Sequence, residues 1–160
     1  MQRINKTQIL IGAIGLFIGL LVYLTDRPPD QTYFIYRMGA SMSAYGVFPK
    51  VFSVFGNSLP SFFHVFSFTM ITAGIFPSNQ KHYLVISLAW ISIDCIFELG
   101  QFFKQFALKA TPNWFDGLSF LENTKNYFLF GTFDVLDLIA IALGGVTAYL
   151  VLIISSRRLR

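Results

Sequence analysis

The chain has 160 residues, of which 54% are hydrophobic, 18% aromatic and only 12% charged. A soluble domain carries about 25% charged residues, so this composition excludes an ordinary soluble domain, and the length allows a single domain, residues 1–160, built as a small set of helices. The net charge of +4 comes with no Gly-rich phosphate loop, no repeat and no basic recognition motif, which argues against a nucleic-acid partner.

Four apolar spans follow one another, at about residues 7–24, 59–76, 83–103 and 133–154. Each approaches the ~20 residues that cross about 30 Å of hydrocarbon. Arg3 and Lys6 precede the first span, as in a signal peptide. No small-x-small cleavage site follows in Tyr23-Leu-Thr-Asp-Arg-Pro-Pro, so the span reads as an uncleaved anchor. It contains no ionisable group. The expected fold is all-α, a four-helix integral-membrane bundle.

Lys and Arg set the orientation. Arg3, Lys6, Lys81, Arg157, Arg158 and Arg160 fall on one side, without any Asp or Glu. The other side holds two longer loops, 25–58 and 104–132. These carry Arg27, Arg37, Lys50, Lys104, Lys109 and Lys125, offset by Asp26, Asp30, Asp116 and Glu122. Short basic tracts mark the cytoplasmic face, so both termini are expected inside and both long loops outside. Tyr33, Phe34, Tyr36, Tyr45 and Phe48 crowd the first loop, as in segments lying at headgroup level. In the second loop, Trp114, Leu118 and Leu121 have helical spacing, with Asn113 as the expected N-cap.

The third span is apolar apart from a few hydroxyls and one polar stripe: Asp94, Glu98, Gln101 and then Gln105. The spacing i, i+4, i+7, i+11 places them on one helix face. A charge in a bilayer costs about 3 kcal/mol on insertion scales, and such residues usually face the bundle interior and mark function. The alternative is a helix-to-helix hydrogen-bond stripe. Counting about 1.5 Å per residue puts His64 in the second span roughly 8 Å below the outer surface. Glu98 falls at the same depth, and Asp137 in the fourth span roughly 5 Å down. Asp94 reads as deeper and Gln101 as near the boundary. Asp134 and Asp137 also fit a simpler reading as a helix cap and first-turn acid. Cys95, the single cysteine, reads as small core filler. Gly144 and Gly145, bordered by Ala140, Ala142 and Ala148, read as a close-packing helix face, within the chain or in a homodimer.

Glu98-Leu-Gly-Gln101 resembles the Glu-x-x-Gln of the third span in the VanZ-like membrane proteins. The run Phe133-Asp134-Val-Leu-Asp137-Leu-Ile-Ala140-Ile-Ala-Leu-Gly144-Gly145 resembles that family's entry to its last span, and His64 sits where the family has a His. The likeness covers about residues 59–150. Ile141 stands at the family's Asn position, and the family's Arg between the third and last spans has no counterpart. The resemblance implies a divergent member in a bacterial cytoplasmic membrane, associated with resistance to the glycopeptide antibiotic teicoplanin. It carries His64, Glu98, Gln101 and Asp137 over as functional residues, with Asp134 and Gly144 beside them.

Three functions are open on the residues. The first is binding in the outer leaflet, where Asp94, Glu98, Gln101, Asp134, Asp137 and His64 would engage a lipid-linked cell-envelope precursor or a lipoglycopeptide. The second is an acid/base enzyme acting on a lipid-linked substrate, with His64, Glu98 and Asp137 as catalytic candidates. The third is a small proton-coupled transporter or partner subunit. One His is thin support for a metal, and no metal or other cofactor is expected.

Overall fold

The computed structural model describes residues 4–26, 43–47, 52, 56–76, 79–118 and 121–158. The aromatic residues Tyr33, Phe34, Tyr36 and Phe48 of the first loop lie outside these, as do Arg3, Arg27, Asp30, Arg37, Lys50 and Arg160. The described chain is helical: α1 (Lys6–Asp26), α2 (Leu59–Ile75), α3 (Gln80–Phe102), α4 (Lys104–Ala110), α5 (Thr124–Phe130) and α6 (Val135–Arg158). Three of these, α1, α3 and the Val135–Ser156 part of α6, are long and apolar enough to cross a membrane. The second predicted span is an apolar helix of 17 residues.

Local chemistry fixes the helix ends. Pro60 opens α2 with its φ already set for helix. The Asn79 side chain caps α3 by accepting from the His82 amide at 3.1 Å. The Asp134 carboxylate accepts from the Leu136 amide at 2.9 Å at the entry to α6. Phe103, at φ −96° and ψ 50°, turns the chain out of α3 into α4. One expected end is corrected. Asn113 does not start an α-helix; residues Asn113–Gly117 form a 3-10 turn behind Pro112. Proline supplies no side-chain acceptor for the first amides, and the Asn113 side chain instead accepts from Lys125 at 3.3 Å.

Helix α2 is the hub: α1, α3 and α6 all pack on it, and α3 also packs on α6. The α1–α2 contact is made through glycines. A Cβ at Gly12 would stand 2.7 Å from the Ser67 carbonyl oxygen, and one at Gly19 3.2 Å from the Phe63 Cβ. The α2–α6 approach is closer still, since a Cβ at Gly144 would overlap the Phe62 carbonyl oxygen, while Gly145 faces Ile91 of α3. The predicted small-residue face therefore packs inside the chain. The apolar core of Met70, Ala73, Tyr83, Ala148 and Leu152 gathers where α2 ends, α3 begins and α6 finishes, beside Lys81.

Outside this core the distribution is inverted. Val135, Ile139, Leu143, Val146, Leu150 and Ile154 of α6 are all more than half exposed, as are Leu10, Ile14 and Phe17 of α1. Gln8, Ser67, Thr69, Ser87 and Glu98 are buried. Large apolar side chains outside and small or polar ones between helices is the arrangement lipid favours.

Candidate functional site

The polar stripe of α3 divides into two sets, one above the other. The upper set closes on Glu98, which is 5% exposed. Its Oε1 accepts a hydrogen bond from the Asp134 backbone amide at 2.8 Å. Its Oε2 lies 3.5 Å from Gln101 Nε2, a long contact. Gln101 is itself buried, and Gly131 lies over it so closely that a Cβ there would meet the Gln101 amide at 2.6 Å. Tyr127 of α5 lies on this set, close enough for Gln101 and Glu98 to act on its phenol. Phe97 and Phe128 stack at 5.6 Å and hold α5 against this end of α3. Burial pushes the Tyr127 phenol above its ordinary value; the Glu98 carboxylate and Tyr23 add to that shift, while the nearby Gln101 side chain opposes it.

Asp134 serves this set twice, with its backbone amide on Glu98 and its carboxylate capping α6. Asp137, in the first turn of α6, donates its amide to the Asp134 carbonyl at 3.0 Å. Its Oδ1 is buried against the helices.

The lower set lies between α2 and α3. His64 Nδ1 stands 2.7 Å from Asp94 Oδ2. The imidazole side chain is 48% exposed, the carboxylate 12%. Phe68 stacks on Trp90 at 4.8 Å beneath them, and the Trp90 indole N–H donates to Thr72 Oγ1 at 3.0 Å. With an ionised Asp94, Nδ1–H donates to the carboxylate and Nε2 becomes the exchangeable position.

This geometry corrects the expected levels. His64 meets Asp94, one helical turn or about 6 Å along α3 from Glu98, so His64 does not share a level with Glu98. Counting depth from each helix start assumes that all helices begin in one plane. The short α2 begins below the end of α3, which lowers His64 to Asp94. Gln105 also leaves the stripe, because the turn at Phe103 carries it into α4.

A further ionisable group belongs to α1. Helix α1 extends to Asp26, which is 4% exposed. Its Oδ1 accepts from Thr25 Oγ1 at 2.8 Å and its Oδ2 from the Phe52 amide at 2.7 Å. A Cβ at Gly56 would come within 2.8 Å of Oδ2. Asp26 thus ties the returning chain to the end of α1. Residues 7–24 hold no charged group, as expected, but the helix runs on to Asp26, which reads in the sequence as a loop charge because its amide partner lies 26 residues away.

Among the described residues, no three His, Cys, Asp or Glu side chains gather as a metal-ligand set. No protein-family model, no curated protein and no solved structure matches the chain.

Proposed function

We propose that this chain is a VanZ-like protein of a bacterial cytoplasmic membrane. In this reading it is a four-helix bundle with both termini cytoplasmic, and its outer-leaflet site binds the polar part of a lipid-linked envelope precursor or a lipoglycopeptide. The single observation that supports this best is Glu98. A carboxylate buried in a helix that is apolar apart from its one polar stripe, held by the Asp134 amide, is costly and marks function in membrane proteins by default. Apolar outer faces support the bilayer. Exposed Lys6 and Lys81 at the opposite end support the orientation.

The test is the teicoplanin and vancomycin susceptibility of a host expressing the chain, its Glu98→Ala variant, or an empty vector. The expected outcome is a shift for teicoplanin alone, lost in the variant. No shift, with the protein present in the membrane at equal level, sinks the teicoplanin role.

One observation favours a second reading, an acid/base enzyme acting on a lipid-linked substrate. His64 Nδ1 on Asp94 at 2.7 Å is the orientation a general base requires, with a carboxylate fixing the tautomer. Turnover of a lipid-linked precursor that His64→Ala abolishes and Asp94→Asn reduces would carry it. Unchanged turnover in His64→Ala would remove it.

A further inference from the structure

The turn at Phe103 creates a surface that the Glu98 and His64 sets do not use. Helix α4 leaves α3 there and is held on one side only. Ala107 is buried, and Lys104 Nζ donates to the Leu129 carbonyl at 3.1 Å, which ties α4 to α5. The other side is open. Phe102 is 60% exposed, Phe103 56% and Phe106 75%, with Gln105 and Lys109 exposed beside them. These five and Lys104 line an open cleft of about 580 Å³.

The chemistry of the cleft is one-signed. Helix α4 contains no acid. Asp116 in the following turn is already paired with Lys125 at 3.0 Å. Two ammonium groups and an amide therefore share the lining of this cleft with three phenyl rings at the end of a membrane-length helix. Phenyl rings exposed to this degree are placed favourably in hydrocarbon, and lysines beside them extend their ammonium groups toward the phosphate layer. A free anion would use the lysines and leave the rings idle; an acyl chain alone would use the rings and leave the lysines idle. Only a ligand with both parts uses the whole cleft.

We propose that this cleft seats an anionic phospholipid, its phosphate between Lys104 and Lys109 and its acyl chains along Phe102, Phe103 and Phe106. The proposal rests on the membrane reading and not on any role in antibiotic susceptibility, so either stands if the other fails.

The test uses the full chain in nanodiscs of phosphatidylcholine containing a minor fraction of phosphatidylglycerol, with retained lipid counted by native mass spectrometry after release. Wild type is expected to keep phosphatidylglycerol in preference to phosphatidylcholine. Each lysine near a charged surface contributes roughly 1 kcal/mol, a factor of about five. Lys109→Gln should weaken retention about fivefold and the pair Lys104→Gln and Lys109→Gln about thirtyfold. Lys81→Gln, at the opposite end, should change nothing. Lys109 is exposed, so its single variant keeps the test sound if loss of the Lys104 bond loosens α4. Equal retention of both lipids in wild type, or undiminished phosphatidylglycerol retention in the Lys109 variant, overturns the proposal. Displacement of the lipid by millimolar inorganic phosphate reassigns the cleft to a free anion and overturns it as well.

Discussion

The Glu98 carboxylate accepts the backbone amide of Asp134 across 2.8 Å, and so joins the end of α3 to the start of α6 through one part-buried bond. The cap of α6 sits on the same residue, because the Asp134 carboxylate holds the Leu136 amide. A change at Glu98 is therefore felt at the entry of a second helix.

Removing that carboxylate leaves a part-buried amide without its acceptor and the buried Gln101 without its neighbour. Such a loss costs about 1–3 kcal/mol, more where a charged group was involved. Glu98→Ala should lower the melting temperature in detergent clearly, and Glu98→Gln, which keeps an acceptor oxygen, by less. Equal melting of all three proteins would show that the bond contributes nothing to the fold.

The His64–Asp94 pair spans α2 and α3 with its imidazole about half exposed. Interhelical hydrogen bonds in membranes couple by about 0.6 kcal/mol on average and up to about 1.7. A double-mutant cycle with His64→Ala and Asp94→Ala should return a favourable coupling within that range. Strict additivity would mean that the two side chains act on stability independently.

Gly144 has no room for a side chain, since its Cβ position overlaps the Phe62 carbonyl oxygen, which belongs to backbone and cannot rotate away. Gly144→Ala should cost about 1–3 kcal/mol through forced separation of α2 and α6. Gly117→Ala, where nothing lies within 4 Å, serves as the neutral control. A cysteine at 144 should not trap dimers on oxidation, because that face is occupied by α2. Efficient dimer trapping would reopen it as a contact between copies.

Tyr127 lies in the α3–α6 connection, partly exposed, with its ring edge-on to Phe97 and Phe128. Its phenol is raised above the ordinary value of about 10, first by burial and then by the Glu98 carboxylate. A raised folded pKa adds stability that is fully present below about pH 10 and is lost as pH climbs through the folded value. The ultraviolet titration difference between wild type and Tyr127→Phe should therefore centre above pH 10. A midpoint at or below that value would show that the phenol is not shielded.

Much of this was legible in the residues, and the misses share one cause. The runs 7–24, 83–103 and 133–154 overlap α1, α3 and α6 because a length of apolar sequence is a local property. Glu98 and Gln101 fell on a buried face because helical spacing is local too. The pairing of His64 with Asp94 needed the relative height of two helices, which no single run encodes. Tyr127 needed a loop to fold back over Gln101, and Asp26 needed the chain to return through Phe52 and Gly56. The glycine face of α1, with Gly15 and Gly19 four residues apart, carried a readable small-residue signal.

The brevity of α2 has a consequence for the bilayer itself. Its 17 residues span about 25 Å, against about 35 Å for the 23 residues of α3. A helix shorter than the hydrocarbon thickness draws the surrounding lipid thinner. If α2 is the second span of the proposed four-helix bundle, headgroups and water dip toward its start, near the exposed edge of His64. On that reading the His64–Asp94 contact meets the headgroup layer directly, with no channel needed between the helices.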